Sequence, residues 1–504
     1  MDTNFYDVIV CGGETGGLVA GALLARRGFR VMLLGHEPAA AAFDAGGVTL
    51  SAAPALLPPI DETPAGRVFK ELDVIAHVKR KTTASETPFR LVLPGQRLDI
   101  TRDPAAQERE LGRAFGAASG SVGAVIERLR GAAALLDPMF ASAITLPPNG
   151  FWERREVGRL RSLLPKATTD LFAPLPSEHP FRAMAALPAV HGAAMVAHEI
   201  GPIAEARAFE IARRGQPTLE GGLAALQALL LARLETFGAD RRDRLTPVEI
   251  VVRRGRVAGV RVRPRDETIG CHHLLWAGSS AALAAALAPD AVAAHKRPPV
   301  ARVASYRYGI AAQVEPEAFP ADTPSRLLAI GDPSRAPTED NAVAITIGQP
   351  SAREGRRVPV WIECAVPANL ADAGASYLRS LRGRVMHVVR RLLPGFAERL
   401  VVLGSPYDGL PAEQRGTPVP ETTPPPTQPA LPPPALFSLP PPRPLDIVGL
   451  PHATAVKHLY LISRENLPGL GLEGELLSGW GAARLVSAGP ARKHLLPRRV
   501  LIGG

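Results

Sequence analysis

The chain has 504 residues, 46% hydrophobic and 21% charged, a composition that excludes wholesale disorder and leaves room for about three folding units. Its 58 Lys and Arg against 48 Asp and Glu leave a net charge of +10; no basic stripe with interleaved aromatics appears, so nucleic acid is not an expected partner. Three cysteines, Cys11, Cys271 and Cys364, fit neither a disulfide framework nor a zinc ribbon and suit a reducing cytoplasm.

The excess of arginine, as at Arg154, Arg155, Arg159 and Arg161, reads as a solvated surface or as a weak attraction to anionic lipid headgroups. No run of about 18 apolar residues is free of charge, so no spanning helix is expected, although peripheral contact with a membrane remains open. Met1–Asp7 is polar and lacks a basic n-region, so the first strand is expected in the mature fold.

Asp7–Cys11 predicts a short buried strand of a parallel sheet. The tight turn Gly12-Gly13-Glu14-Thr15-Gly16-Gly17 follows. An Ala/Leu-rich helix runs from Leu18 to Arg27, stopped by Gly28, and a second strand covers Arg30–Leu34. This β-α-β unit is the one that seats a dinucleotide pyrophosphate on a helix N-terminus. Gly12 and Gly17 hold the first and third glycine positions, but Glu14 stands at the second, adding bulk and negative charge. Gly35 stands where an acid normally meets the ribose; the nearest acid is Glu37.

Further along, Leu223, Leu226, Leu230 and Leu234 recur at helical spacing after Gly221-Gly222, with Leu229 and Leu231 widening the face. Val248–Val252 and Val257–Val262 read as two strands around a Gly-containing turn. His272-His273 precedes the strand Leu274–Trp276; adjacent strand residues face opposite ways, so the pair reads as structural rather than metal-ligating. No metal motif is present. Thr417–Pro444 holds three proline triplets and predicts an extended polyproline-II-like insert, either a surface loop or a docking segment for a protein partner. The tail, residues 491–504, is basic and reads as solvated or as a membrane-surface contact.

Taken together, Asp7–Leu34, Phe43-Asp44-Ala45-Gly46, Leu219–Val262 and Leu459–Leu485 with Pro468-Gly469-Leu470-Gly471-Leu472-Glu473-Gly474 resemble, in order and spacing, the FAD-dependent phytoene desaturase and carotenoid isomerase family. That family belongs to the amine oxidase and GDP-dissociation-inhibitor superfamily. The resemblance implies an α/β fold: a Rossmann-like FAD/NAD(P)-binding domain with an interleaved α+β substrate domain. The flavin-type domain would take residues 1–75, 215–290 and 445–490. The substrate domain would take 76–214 and 291–444, with the Pro-rich insert at 417–444. FAD is the implied cofactor. Its implied contacts are Gly12, Gly13, Glu14, Thr15, Gly16, Gly17, Glu37, the backbone at Val248 (adenine), Arg464, Leu472 and Glu473.

Four departures surround that one ligand. They are Glu14, the displaced Glu37, the absence of the family's Gly-Gly-Arg loop where Glu37–Ala42 runs into Phe43, and Ser463-Arg464 after the strand Leu459–Ile462. They imply an impaired flavin site, with Glu14 and the Ala39–Ala42 linker expected near the pyrophosphate position. Each departure also has an innocent reading: Glu14 pointing to solvent, Glu37 reaching back, or Arg464 supplying the missing positive charge from the other side. No catalytic side chain is assigned; Glu473 is the only candidate for handling a proton, its alternative being a structural carboxylate. Two functions are therefore expected. One is a flavin-dependent desaturase or isomerase acting on a polyisoprenoid. The other is a non-catalytic pseudoenzyme binding a lipid or a partner protein, as the Rab escort and GDP-dissociation-inhibitor proteins of the superfamily do.

Overall fold

The computed structural model describes residues 5–35, 41–83, 85–141, 144–162, 170–289, 291–350, 356–371, 374–415, 417–418, 433–439 and 444–488. Strand β1 (Phe5–Cys11) is buried from Tyr6 to Cys11, as a continuous apolar run covered on both faces requires. It pairs in parallel with β2 (Val31–Leu34) on one side and with Glu267–Trp276 on the other. The seven-stranded sheet runs in the order 246–253, 256–263, 267–276, β1, β2, 240–242, with Leu459–Leu461 added in parallel to Glu267–Trp276. The chain thus enters this sheet from three separated segments, and the fold is α/β with a parallel β-α-β core.

Helix α1 (Thr15–Arg26) begins three residues earlier than the sequence pattern predicts, because Thr15-Gly16-Gly17 already lies in its first turn. Every residue from Thr15 to Ala25 is buried. Glycine permits the closeness: a Cβ on Gly479 of the Gly471–Ala488 helix would sit 2.3 Å from the Gly16 carbonyl oxygen. Gly12, at φ +101°, turns the chain where a Cβ would lie 2.1 Å from the Ala277 carbonyl oxygen. The Gly222–Thr236 helix buries Leu226, Leu230 and Leu234, with Leu223, Leu229 and Leu231 half-buried around that stripe.

The second sheet has ten strands. Its spine is Arg302–Val314 paired antiparallel with Val358–Pro367, continuing through Ala342–Ile347 and Arg326–Ile330 to the hairpin 89–93/96–100. Helices Pro180–Gly192 and Pro202–Arg213 pack beside it. The Pro-rich insert is partly described. Ala435–Ser438, free of proline, forms an edge strand on Arg302–Tyr306, so this part of the insert is sheet rather than a free polyproline excursion. Its proline triplets 424–426 and 440–442, the expected contact Glu37 and the basic tail 491–504 lie outside the described residues.

His272 is exposed and His273 buried, on opposite faces as adjacent strand residues must be. His273 meets the ring of His458 and stacks on Tyr460.

Candidate functional site: a cavity with an acidic and a basic end

Between the two sheets lies a cavity of about 700 Å³. Leu223, Ile211, Leu470, Leu472, Phe437 and Val303 give it an apolar wall, and a carboxyl cluster and a basic cluster also line it.

The carboxyl cluster lies at the N-terminus of α1, where the sequence places a pyrophosphate. Glu14 is the residue before the helix; its side chain makes no capping hydrogen bond to the first turn, and its Oε2 is buried without a partner. Burial, with the charge of Glu475 adding to it, pushes the Glu14 carboxyl up to about 8 against the pull of Arg464. Glu475 is also raised by burial, and Arg464 Nε lies 3.2 Å from its Oε1. Glu465, fully buried, accepts the Ser280 N–H through both oxygens at 3.1 and 3.0 Å. Burial raises it too.

The flavin-type fold implies FAD here, and these residues do not fit its diphosphate. A helix N-terminus attracts an anion when its amides face an uncharged or positive space. This one faces three carboxyl groups, and the single arginine is already paired with one of them. Arg464 lines the cavity with its Nε beside Glu475, so part of its charge is already offset there. On the wall where the linker was expected stand Ala52, Ala53 and Pro54. Ala41 accepts a hydrogen bond from the Ala52 amide, and Ala39 and Ala40 lie outside the described residues. Val248 is half-buried in the strand Thr246–Arg253. Gly35 is close to Pro247: a Cβ there would lie 3.1 Å from its Cδ.

Glu473 lines the same cavity and is held in an ion pair. Arg207, 1% exposed, gives it Nη2 at 2.8 Å and Nε at 3.3 Å, gives Asp137 its Nη1 at 2.5 Å, and lies against the Phe140 ring. Burial opposes the Arg207 charge, but the two carboxylates more than offset that and keep it protonated.

The basic cluster was not predicted. Arg307, on Arg302–Val314, donates Nη2 to the carbonyls of Val190 at 3.2 Å and Ala193 at 2.8 Å, closing the end of the Pro180–Gly192 helix. Its Nη1 is buried without a partner. Arg326, first residue of Arg326–Ile330, donates Nη1 to Gln216 at 2.7 Å and leaves Nε and Nη2 unpartnered. His191 has neither ring nitrogen bonded. Burial holds His191 well below its ordinary range, with both arginines adding to the effect, and burial pushes Arg326 down to about 10. Glu363 is the carboxylate whose charge both arginines feel. The sequence signal was slight: Arg307 lies inside a strand that also carries Arg302, Ser305 and Gln313, and Arg326 opens an otherwise apolar one.

Of the predicted contacts, Glu14, Thr15, Arg464, Leu472 and Glu473 line the cavity. Gly12, Gly16 and Gly17 serve close backbone approach beside it. Among the described residues no group of three or more His, Cys, Asp or Glu is placed to hold a metal ion.

No protein-family model matches the sequence, and no curated relative matches it. Solved structures do. An oxidoreductase from Methanosarcina mazei superposes with TM-score 0.60 at 14% identity, covering 95% of this chain and 100% of that one. A putrescine oxidase variant redesigned in its cofactor binding gives TM-score 0.57 at 14% identity, covering 96% and 99%. Cyclohexylamine oxidase from Brevibacterium oxydans gives 0.52 at 13%, covering 96% and 99%. The chain therefore has the fold of the amine-oxidase-like flavoprotein oxidoreductases, a Rossmann-like parallel sheet joined to a mixed second sheet. At these identities the likeness is one of fold.

Proposed function

We propose that this chain is a binding protein on a flavoprotein scaffold: it holds a lipid-like small molecule, of the isoprenoid kind, in its central cavity and works without FAD. The observation that carries the reading is the cluster of Glu14, Glu465 and Glu475 at the N-terminus of α1, with Arg464 already engaged. A diphosphate placed there would meet three carboxyl groups beside the first-turn amides. Displacing interactions of this kind costs about 1–3 kcal/mol each, and about 1.4 kcal/mol is tenfold in affinity. The apolar wall beside the two charged clusters supports a hydrocarbon-rich ligand.

The flavin-dependent oxidoreductase reading draws support from the intact Gly12, Gly16 and Gly17 frame and from the fold. A titration of FAD into the purified chain, followed by quenching of flavin fluorescence, separates the two. The proposal expects no saturable binding by the wild type and a gain on Glu14→Gly combined with Glu475→Gln. Stoichiometric uptake by the wild type would refute it.

A lipid-like ligand is delivered from a membrane. Among the described residues no helix is long and apolar enough to cross one. Contact at the surface is supported by the Phe151–Arg161 helix. It exposes Phe151 (71%) and Trp152 (73%) beside exposed Arg154, Arg155 and Arg159, a pairing suited to an anionic interface.

A further inference from the structure

We propose that the Arg307, Arg326 and His191 cluster of the cavity seats an oxyanion headgroup, phosphate or carboxylate, carried by the apolar ligand. The inference rests on the cavity-binding reading and names the chemical class of its ligand.

The three side chains are 7%, 4% and 5% exposed. Each arginine is anchored at one nitrogen, Arg307 on two helix-end carbonyls and Arg326 on Gln216, so its direction is fixed by groups that leave the rest of the guanidinium unused. What Arg326 leaves is the Nε–Nη2 edge, the edge that meets two oxygens of one anion side by side. Arg307 Nη1 adds a further donor. His191, neutral at this burial, keeps one N–H to give and carries no charge that an anion must balance.

Arg207 shows what a structural arginine looks like in the same wall. It is as deeply buried, but two carboxylates satisfy it. Among the described residues, Glu363 is the carboxylate whose charge both Arg307 and Arg326 feel, while Arg464 adds a like charge near Arg307. Buried charged donors left unpaired are costly, and an incoming oxyanion would supply the partners they lack. Glu14, Glu465 and Glu475 cluster around the N-terminus of α1, so an anionic headgroup is drawn to the arginines rather than to those carboxyl groups.

The test is calorimetric titration of the full chain with dodecyl phosphate, dodecanoate, dodecanol and inorganic phosphate, the first three below their aggregation concentrations, with FAD titrated in parallel. The expected result is that an acidic amphiphile binds at least about tenfold more tightly than dodecanol, the worth of one charge-assisted hydrogen bond. Arg326→Gln should close that gap and leave dodecanol affinity unchanged. Should Arg326→Gln fail to fold, Arg326→Lys keeps the charge, loses the two-nitrogen edge, and should narrow the gap.

Equal affinity for dodecanol, or a gap that persists in a folded Arg326 variant, overturns the proposal. Inorganic phosphate binding as tightly as dodecyl phosphate overturns the amphiphile and assigns a free-anion site. FAD uptake with the gap intact refutes the flavin-free reading alone; absence of both FAD binding and the gap refutes this inference alone.

Discussion

Replacing Glu14 with glutamine removes a group that titrates at a different pH in the folded chain than in the unfolded one. The carboxyl titrates near 4.5 when solvated and is pushed up to about 8 by burial. Between those values the folded state holds a proton that the unfolded state has released. Stability must therefore fall as pH rises through that window, at up to about 1.4 kcal/mol per pH unit for the one group. Over the whole window the loss approaches about 5 kcal/mol, and water entering the cavity reduces it. Glu465 and Glu475 are raised as well and add a slope of the same sign. Glutamine has nearly the shape of the protonated acid and does not titrate. Urea denaturation from about pH 5 to about pH 8 should thus show Glu14→Gln gaining on the wild type as pH rises, from about 1 kcal/mol to at most about 4. Two parallel curves would mean that Glu14 is solvated and ionised like a surface carboxylate, and the argument against a diphosphate would lose its first member.

Glu473→Gln should cost about 3–5 kcal/mol in the same assay, because it leaves Arg207 buried with only Asp137 as counter-charge; a neutral effect would reopen a functional role for Glu473. Gly479→Ala should destabilise by about 1–3 kcal/mol or more, since the new methyl would meet the Gly16 carbonyl and Val19 where the two helices cross; calorimetric melting checks it, and an unchanged midpoint would refute the crossing geometry. Phe151→Ser with Trp152→Ser should abolish sedimentation with vesicles containing phosphatidylserine and leave melting unchanged, because both rings are exposed; wild-type chain that stays in the supernatant would remove the membrane contact.

The fold was legible because its signals are local. Asp7–Leu34 carries strand, turn, helix and strand within one short stretch, and Gly12 holds a position only glycine tolerates. Glu14 was also legible, as a carboxylate inside a glycine turn. Its surroundings were not. Glu465 reaches Ser280, 185 residues away. Within the C-terminal segment, Arg464 lies against Glu475 of the Gly471–Ala488 helix, a pairing that the sequence pattern does not reveal. Arg307 and Arg326 were missed for a different reason. An arginine in a strand normally marks the solvent face, and only the packing of the Pro180–Gly192 helix over that face buries these two.

The most direct measurement of the central claim is the amount of flavin released by acid from the full-length chain purified from cells supplied with riboflavin. The account predicts a colourless protein that releases no FAD, while its organic extract contains an acidic amphiphile. One FAD released per chain would contradict it.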